Sequence, residues 1–388
     1  MLSNRMAECP RTDEPAAAGR PGLRKMALGM VGAIVAALVL AVPGALLAGE
    51  VPSSLNEIGG IETLAARARD EGEVMVYGGP GYSKMMEWFK GFEAAYGIKV
   101  QYYRASSTTV FQRFMTEQAV GQQIADVLIN SLRDNMMIAD EAGYLAEYYP
   151  ASASLFPEAL SIPGKSWPTY LAIQAVAWNT DLVPPDLQQA LREHPRKALL
   201  DPRLRGRLAM VNVTSGQLTL LGNLNVVANH AETHGWPYLK ALADQEPMIV
   251  ETLPALLDAL TSGEAWVTPD AAESILAPAV LEGAPLAYAF PPVTAGTEFQ
   301  MAVAERAPNP HAARLLMEWM TSPEAQQRLA EISQAPVVID GWKDTREISR
   351  MDWYQPPRGL WFGLGDAPEL HSKARKEFYE TWQSIFGH

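Results

Sequence analysis

Between residues 73 and 142 the hydrophobic period changes from two to 3.6 three times in succession, and few folds accept that pattern. Residues 73–77 (EVMVY) form a short apolar run that stops at Gly78-Gly79-Pro80-Gly81, which predicts a strand followed by a loop. Residues 83–96 then carry Met85, Met86, Trp88, Phe89, Phe92 and Ala95 at helical spacing, with Gly97 as a C-terminal stop. The same reading predicts strands over 98–103 and 125–129, and helices over 106–121 and 134–142. Strands that alternate with helices pack as a mainly parallel sheet covered on both faces. Ligands bind such sheets beyond the carboxyl ends of the strands. Here those ends are 78–82, 104–108 and 130–131.

Proline and aromatic residues mark a change over 148–170, after which 171–178 (LAIQAVAW) reads as a strand with a turn-rich exit at 179–185. A second alternating unit begins with a strand at 209–213, entering Thr214-Ser215-Gly216 and a long helix to about 229. Helices are expected over 236–244 and 254–261, and a strand over 265–268. A helix opened by Pro269-Asp270 follows to 282, then strands over 286–290 and 297–304 and helices over 310–320 and 323–331. The aromatic-rich segment 340–388 ends in an amphipathic helix over 370–386, expected to brace the first half of the fold. No internal repeat or low-complexity tract interrupts this order. With 388 residues, the length suits two lobes.

Composition narrows the function classes. The chain is 48% hydrophobic and 19% charged, which excludes disorder. Its formal net charge of −13 gives no electrostatic reason to bind nucleic acid or an anionic membrane surface. Residues 26–48 carry no charge and follow Arg24-Lys25, the pattern of an export signal with its positive side retained in the cytoplasm. Pro43-Gly44 breaks the run before small residues suited to cleavage near Ala48 or Gly49. An uncleaved anchor is the alternative, since the run is long enough to span a bilayer. Glu50 stands where a lipoprotein box needs cysteine, so a lipid anchor is not expected. The polar stretch ahead of Arg24 is long, and Met6 or Met26 are alternative starts. Cys9 is the only cysteine. The exported part therefore has no disulfide, thiolate metal site or cysteine nucleophile.

Four ordered segments resemble the periplasmic solute-binding proteins of ABC importers, in the branch of ferric-ion, hexose-phosphate and 2-aminoethylphosphonate binders. They are EGEVMVYGG…WFKGFEAAYGIKVQYYRASS (71–107), TEQAVGQQIADVLINS (116–131), AVAWNTDLVP with LLDPRLRGRLAMVNVTSG (175–184 and 199–216), and HAARLLMEWMTSPEAQQRLAE (311–331). The resemblance covers roughly 61–336. It implies the type 2 periplasmic-binding fold, an α/β architecture of two lobes, each a mainly parallel sheet flanked by helices, joined by two hinge crossings and closing over a ligand. It places the crossings near 172–180 and 290–299. The implied division is a signal peptide over 1–49, a first lobe of 50–172 plus 297–388, and a second lobe of 173–296.

Within that frame, candidate ligand-binding residues follow from helix-start chemistry. Ser106, Ser107 and Thr108 end a strand and open a helix, where free N–H groups and small hydroxyls form an anion cradle. Thr214, Ser215 and Gly216 repeat the arrangement in the second lobe, the glycine allowing close backbone approach. Gly79 offers a backbone loop and Tyr82 a ring, while Asn130 and Ser131 stand at the third strand end. The simpler reading of each serine is an N-cap. Asp270 is expected to cap its helix, although a carboxylate there would suit a cationic group. Trp178, Trp266 and Tyr288 are pocket walls or core.

Ferric binding is an alternative, since ferric sites in the resembled branch use an adjacent tyrosine pair in the second lobe. Here the body of that lobe, about 181–286, offers only Tyr238 in a helix, and the pairs Tyr102-Tyr103 and Tyr148-Tyr149 fall in the first lobe. Neighbours on a strand point to opposite faces, so Tyr102 and Tyr103 do not readily share an ion. His230, His234 and His311 lie on or beside helices. No Gly-x-Ser-x-Gly elbow, Walker loop or His-Glu-x-x-His helix is present, so no enzyme is expected. The expectation is a monomeric periplasmic receptor without cofactor or resident metal, capturing a small anionic solute (phosphate- or phosphonate-like, or a carboxylate) for an inner-membrane ABC permease. A ligand sensor feeding a membrane kinase is the alternative from another class.

Overall fold

The computed structural model describes residues 53–214, 217–228, 235–362 and 368–387. The expected leader over 1–49, the candidates Ser215 and Gly216, and His230 and His234 lie outside the described residues. Helices α1 (Leu55–Ile58) and α2 (Ile61–Glu71) lead into β1 (Glu73–Gly78), α3 (Tyr82–Tyr96), β2 (Lys99–Arg104), α4 (Ser107–Ala119), β3 (Val127–Asn130) and α5 (Arg133–Glu141). The predicted strand–helix units are all present. Strand β1 pairs in parallel with both β2 and β3. Alternate residues feed opposite faces: Val76, Val127 and Ile129 pack with Trp88 and Phe89 of α3, whereas Tyr77 and Leu128 pack with Val110 and Phe114 of α4.

The chain then enters β4 (Trp167–Asn179), α6 (Pro185–Glu193), α7 (Pro195–Ala198), β5 (Ala209–Val211), α8 (Gln217–Ala228) and α9 (Trp236–Ala243). It continues through β6 (Met248–Val250), α10 (Leu253–Ser262), β7 (Val267–Ala272), α11 (Glu273–Leu281), β8 (Leu286–Ala289) and β9 (Thr294–Val303). Helices α12 (Pro310–Thr321) and α13 (Pro323–Ser333), β10 (Leu360–Trp361) and α14 (Pro368–Phe386) complete it.

Two long strands join the lobes. The first half of β4 pairs antiparallel with β9 beside β3, and its second half pairs with β7 and β8. One sheet in the order β2-β1-β3-β9-β4-β7 thus runs through both lobes, with β8 also on β4. Parallel pairing survives where a helix crosses between strands, as in β1–β2 and β5–β6. The crossing strands run outward and back, so their shared ladder is antiparallel and the sheet is mixed. The first-lobe core gathers residues from α2, α3, α12 and α13, and the second is built on Trp178, Leu187, Leu208 and Leu239.

Two expectations need correction. The segment Pro269-Asp270 does not open a helix; β7 continues to Ala272 and α11 begins at Glu273. Gln174 and Ala175 pair with Ala272 and Ala271, and the ladder shifts register between Ala175 and Ala177 next to Pro269, where a strand tolerates the missing N–H. The C-terminal segment also does not simply brace the first lobe. Ile339 and Trp342 pack there, but Ile348, Trp353 and Tyr354 join a second-lobe cluster. Phe378 and Trp382 of α14 enter the second-lobe core, with Phe378 5.2 Å from Trp236 between ring centroids. An amphipathic pattern declares that a face is buried, not which surface buries it.

Candidate functional site

A cavity of ≈ 370 Å³ lies between the lobes, within the range of small-molecule sites. Its first-lobe side is formed by the carboxyl ends of the three parallel strands: Gly79-Pro80-Gly81 after β1, Arg104 at the end of β2 and Ser131 after β3. This is where a parallel sheet offers its free loop backbone. The crossing strands add Tyr170 from β4 and Thr297 and Phe299 from β9.

Gly78 and Gly79 are glycine because of close approach. A Cβ on Gly78 would meet the Tyr102 hydroxyl at 2.6 Å, and one on Gly79 would overlap Ser107 Oγ. Ser107 Oγ and Ser131 Oγ are 2.9 Å apart, and the Ser131 N–H donates to Ser107 Oγ at 3.3 Å. Asn130, fully buried, donates from Nδ2 to the Ser107 carbonyl at 2.7 Å and accepts from the Leu132 N–H at 2.9 Å. The loops after β2 and β3 are therefore stitched to each other. Ser106 caps α4 by accepting from the Thr109 N–H at 3.1 Å.

On the second-lobe side, first turns of three helices reach the cavity: Leu218 and Thr219 of α8, Leu253 and Pro254 of α10, Ser274 and Ile275 of α11. Thr252 caps α10 by accepting from the Ala255 N–H at 3.2 Å. Neither α11 nor α3, whose start adjoins Gly79-Pro80-Gly81, has a side-chain cap. Their first-turn N–H groups present positive potential that no capping side chain satisfies. Arg104 forms no ion pair with a described residue, and among the described residues Glu251 is the only carboxylate lining the cavity. The Lys84 ammonium donates to the carbonyls of Ser274 (3.1 Å) and Ser333 (3.3 Å), tying α3 to α11 across the lobes. Burial pushes its pKa down.

Two buried carboxylates position the second-lobe helices. Asp270, 2% exposed, accepts from Gln174 Nε2 at 3.0 Å, Asn223 Nδ2 at 3.3 Å and the Val211 N–H at 3.2 Å. Burial pushes its pKa up to about 7 against the pull of those three donors. Asn223 belongs to α8, so Asp270 holds that helix against β4 and β5. Glu273, the first residue of α11, is fully buried. Its Oε1 takes Arg346 Nη1 at 3.1 Å and the Tyr354 and Tyr288 hydroxyls at 2.9 and 3.3 Å, while Oε2 has no hydrogen-bond partner among the described residues. Burial pushes its pKa up and Arg346 opposes that. Arg346 also donates to the Gln334 carbonyl at the end of α13, so one guanidinium touches both lobes.

Of the residues singled out from sequence, Gly79 and Ser131 line the cavity, and Ser107 stands directly behind them. Ser106, Thr108 and Asn130 belong to the same loop cluster without lining it. Tyr82 is 54% exposed and stacks on Tyr102. Thr214 sits in a turn made by Asn212, whose Oδ1 accepts from the Thr214 N–H and hydroxyl at 3.0 and 2.8 Å. Asp270 neither caps a helix nor lines the interlobe cavity; it is interior, because β7 carries it into the sheet. Trp178, Trp266 and Tyr288 pack in the second-lobe clusters. Sequence reasoning missed Arg104, Tyr170 and Phe299. Arg104 carried a signal, since it opens the strand-end loop 104–108 and is the only cation there.

The tyrosine pairs are used elsewhere. Tyr102 donates to the Pro80 carbonyl at 2.8 Å, Tyr148 to Glu318 at 2.6 Å, and Tyr149 packs on Trp167. Tyr238 donates to the Arg196 carbonyl at 3.0 Å. Among the described residues Tyr170 is the single tyrosine lining the cavity, and no group of three metal-binding His, Cys, Asp or Glu side chains occurs.

Comparison with known structures finds the same fold repeatedly. The substrate-binding protein of an ABC transporter from Agrobacterium tumefaciens superposes with a TM-score of 0.64 at 16% identity, over 82% of this chain and 96% of that one. AfuA from Actinobacillus pleuropneumoniae, with fructose-6-phosphate bound, gives 0.62 at 19% identity, over 82% and 99%. Iron-bound HitA from Pseudomonas aeruginosa gives 0.61 at 17%, over 81% and 99%. At these identities the likeness is one of fold. No curated protein sequence matches the chain. Residues 74–331 match the family model for bacterial extracellular solute-binding proteins, and the chain belongs to that family, whose members bind solutes for transport and are not enzymes.

Proposed function

We propose that this protein is the periplasmic, monomeric receptor of an ABC importer, which captures a small organic anion between its lobes and presents it to the inner-membrane permease. The observation that carries the reading is the interlobe cavity itself, which Arg104, without an ion pair to any described residue, lines together with the uncapped starts of α3 and α11. Anions are stabilised at helix starts by oriented N–H groups and by the macrodipole. No catalytic step is needed, because closure of two lobes over a ligand offers a partner a different surface. Ferric ion, which HitA holds, finds little support in a cavity to which the described residues bring one tyrosine and one carboxylate. A role in signalling to a sensor kinase would use the same capture step.

The test is a thermal-shift and calorimetric panel on the exported chain with inorganic phosphate, methylphosphonate, phenylphosphonate, fructose 6-phosphate, benzoate and ferric ion with carbonate. Binding to the native state raises Tm by mass action, with about 2.7 kcal/mol at a hundredfold excess over Kd. At least one organic anion should bind, and Arg104→Gln should weaken it about tenfold or more. Binding of ferric ion alone would overturn the ligand class.

A further inference from the structure

Resting on the small-anion reading above, we infer that the ligand is amphiphilic, with one anionic head and a flat apolar body such as an aryl carboxylate or aryl phosphonate. The cavity wall divides by chemistry. The polar groups at the strand ends of the first lobe are Arg104, Ser131 and the backbone of Gly79-Pro80-Gly81. Beyond them Gln217, Thr219, Thr252, Ser274 and Thr297 also line the cavity, but its continuous apolar patch is one buried cluster of Ala172, Leu218 and Ala272 against which Leu253, Ile275 and Phe299 pack. Tyr170 and Phe299 stack beside it with ring centroids 4.9 Å apart and planes at 25°. Both rings keep partial exposure and line the cavity, so they offer a flat aromatic surface to a bound molecule.

A polyhydroxylated ligand fits this wall poorly. Each hydroxyl turned toward Leu218, Leu253, Ile275 or Phe299 would lose water without gaining a partner. Glu251, the only carboxylate among the described lining residues, disfavours a second anionic group at the second-lobe end and would accept from a hydroxyl or amino substituent there. The head thus sits at the strand ends of the first lobe, facing the start of α11, and the body lies against the apolar cluster.

The experiment compares phenylphosphonate with methylphosphonate, inorganic phosphate, fructose 6-phosphate and benzyl alcohol by titration calorimetry on the exported chain. Phenylphosphonate should bind at least tenfold tighter than methylphosphonate, a difference of about 1.4 kcal/mol. Phe299→Leu should weaken phenylphosphonate more than methylphosphonate, and Arg104→Gln should weaken both. Equal binding of the two phosphonates, or tighter binding of fructose 6-phosphate, would overturn the amphiphilic ligand and leave the small-anion receptor standing. Benzyl alcohol binding as tightly as phenylphosphonate, or no anion binding at all, would overturn the anion reading itself. The wild-type comparison decides the matter even where a variant folds poorly.

Discussion

The two lobes face the same cavity but fix their walls by different means. In the first lobe the loops are held by neutral groups: Ser107, Asn130 and Ser131 bond one another across 23 or 24 residues of sequence. In the second, α8 and α11 are anchored by buried carboxylates. Asp270 reaches Gln174 across 96 positions, and Glu273 reaches Tyr354 across 81. Neutral pairs give up little hydration and hold at any pH. Buried carboxylates are costly to desolvate, depend on their partners, and make one wall sensitive to protonation.

The largest effect should come from breaking the second-lobe anchor. Arg346→Met leaves Glu273 buried without its cation and should cost about 3–5 kcal/mol in urea denaturation. Adding Glu273→Gln should recover much of that loss, since the uncompensated charge is removed. A cost of Arg346→Met below about 1 kcal/mol would mean that Glu273 does not depend on the guanidinium.

Next in size is the pH response of Asp270. Its pKa is raised by burial from the ordinary carboxyl value to about 7. Its stabilising contribution is therefore present in full below about pH 4 and is lost as pH rises through 7, by no more than about 4 kcal/mol. Asp270→Asn should flatten that part of the stability–pH curve. Parallel curves for the two proteins would place the titration elsewhere.

The smallest of the three effects belongs to the first lobe. Gly79→Ala would drive a methyl group into Ser107 Oγ, displacing the Ser107–Ser131 pair at a cost of about 1–3 kcal/mol. Unlike the Asp270 effect, it should be the same at pH 5 and pH 8. A pH-dependent cost would blur the contrast between the lobes.

Legibility followed the same division. The loops at 78–82, 104–108 and 130–131 were visible in the sequence because each hydrophobic period stops at glycine, serine or asparagine beside it. Gly79 and Ser131 reach the cavity for that reason. Tyr170 and Phe299 were hidden, since an aromatic on a strand reads as core until its partner strand is known. Asp270 followed a proline and looked like a cap, but proline opens helices and also sits at strand irregularities, and sequence alone does not separate the two.

The alternation of strands and helices, the loops that gather at the strand ends and the ordered segments that mark a two-lobed binding fold are all written in local sequence. These depend on neighbours within a few residues of one another. Long-range packing alone set the antiparallel run of β4 and β9 through both lobes, the docking of α14 on the second lobe and the reach of Arg346 to Glu273 across 73 positions. Such contacts are set by which surfaces remain to be covered once the sheets have formed, and local patterning does not contain that information.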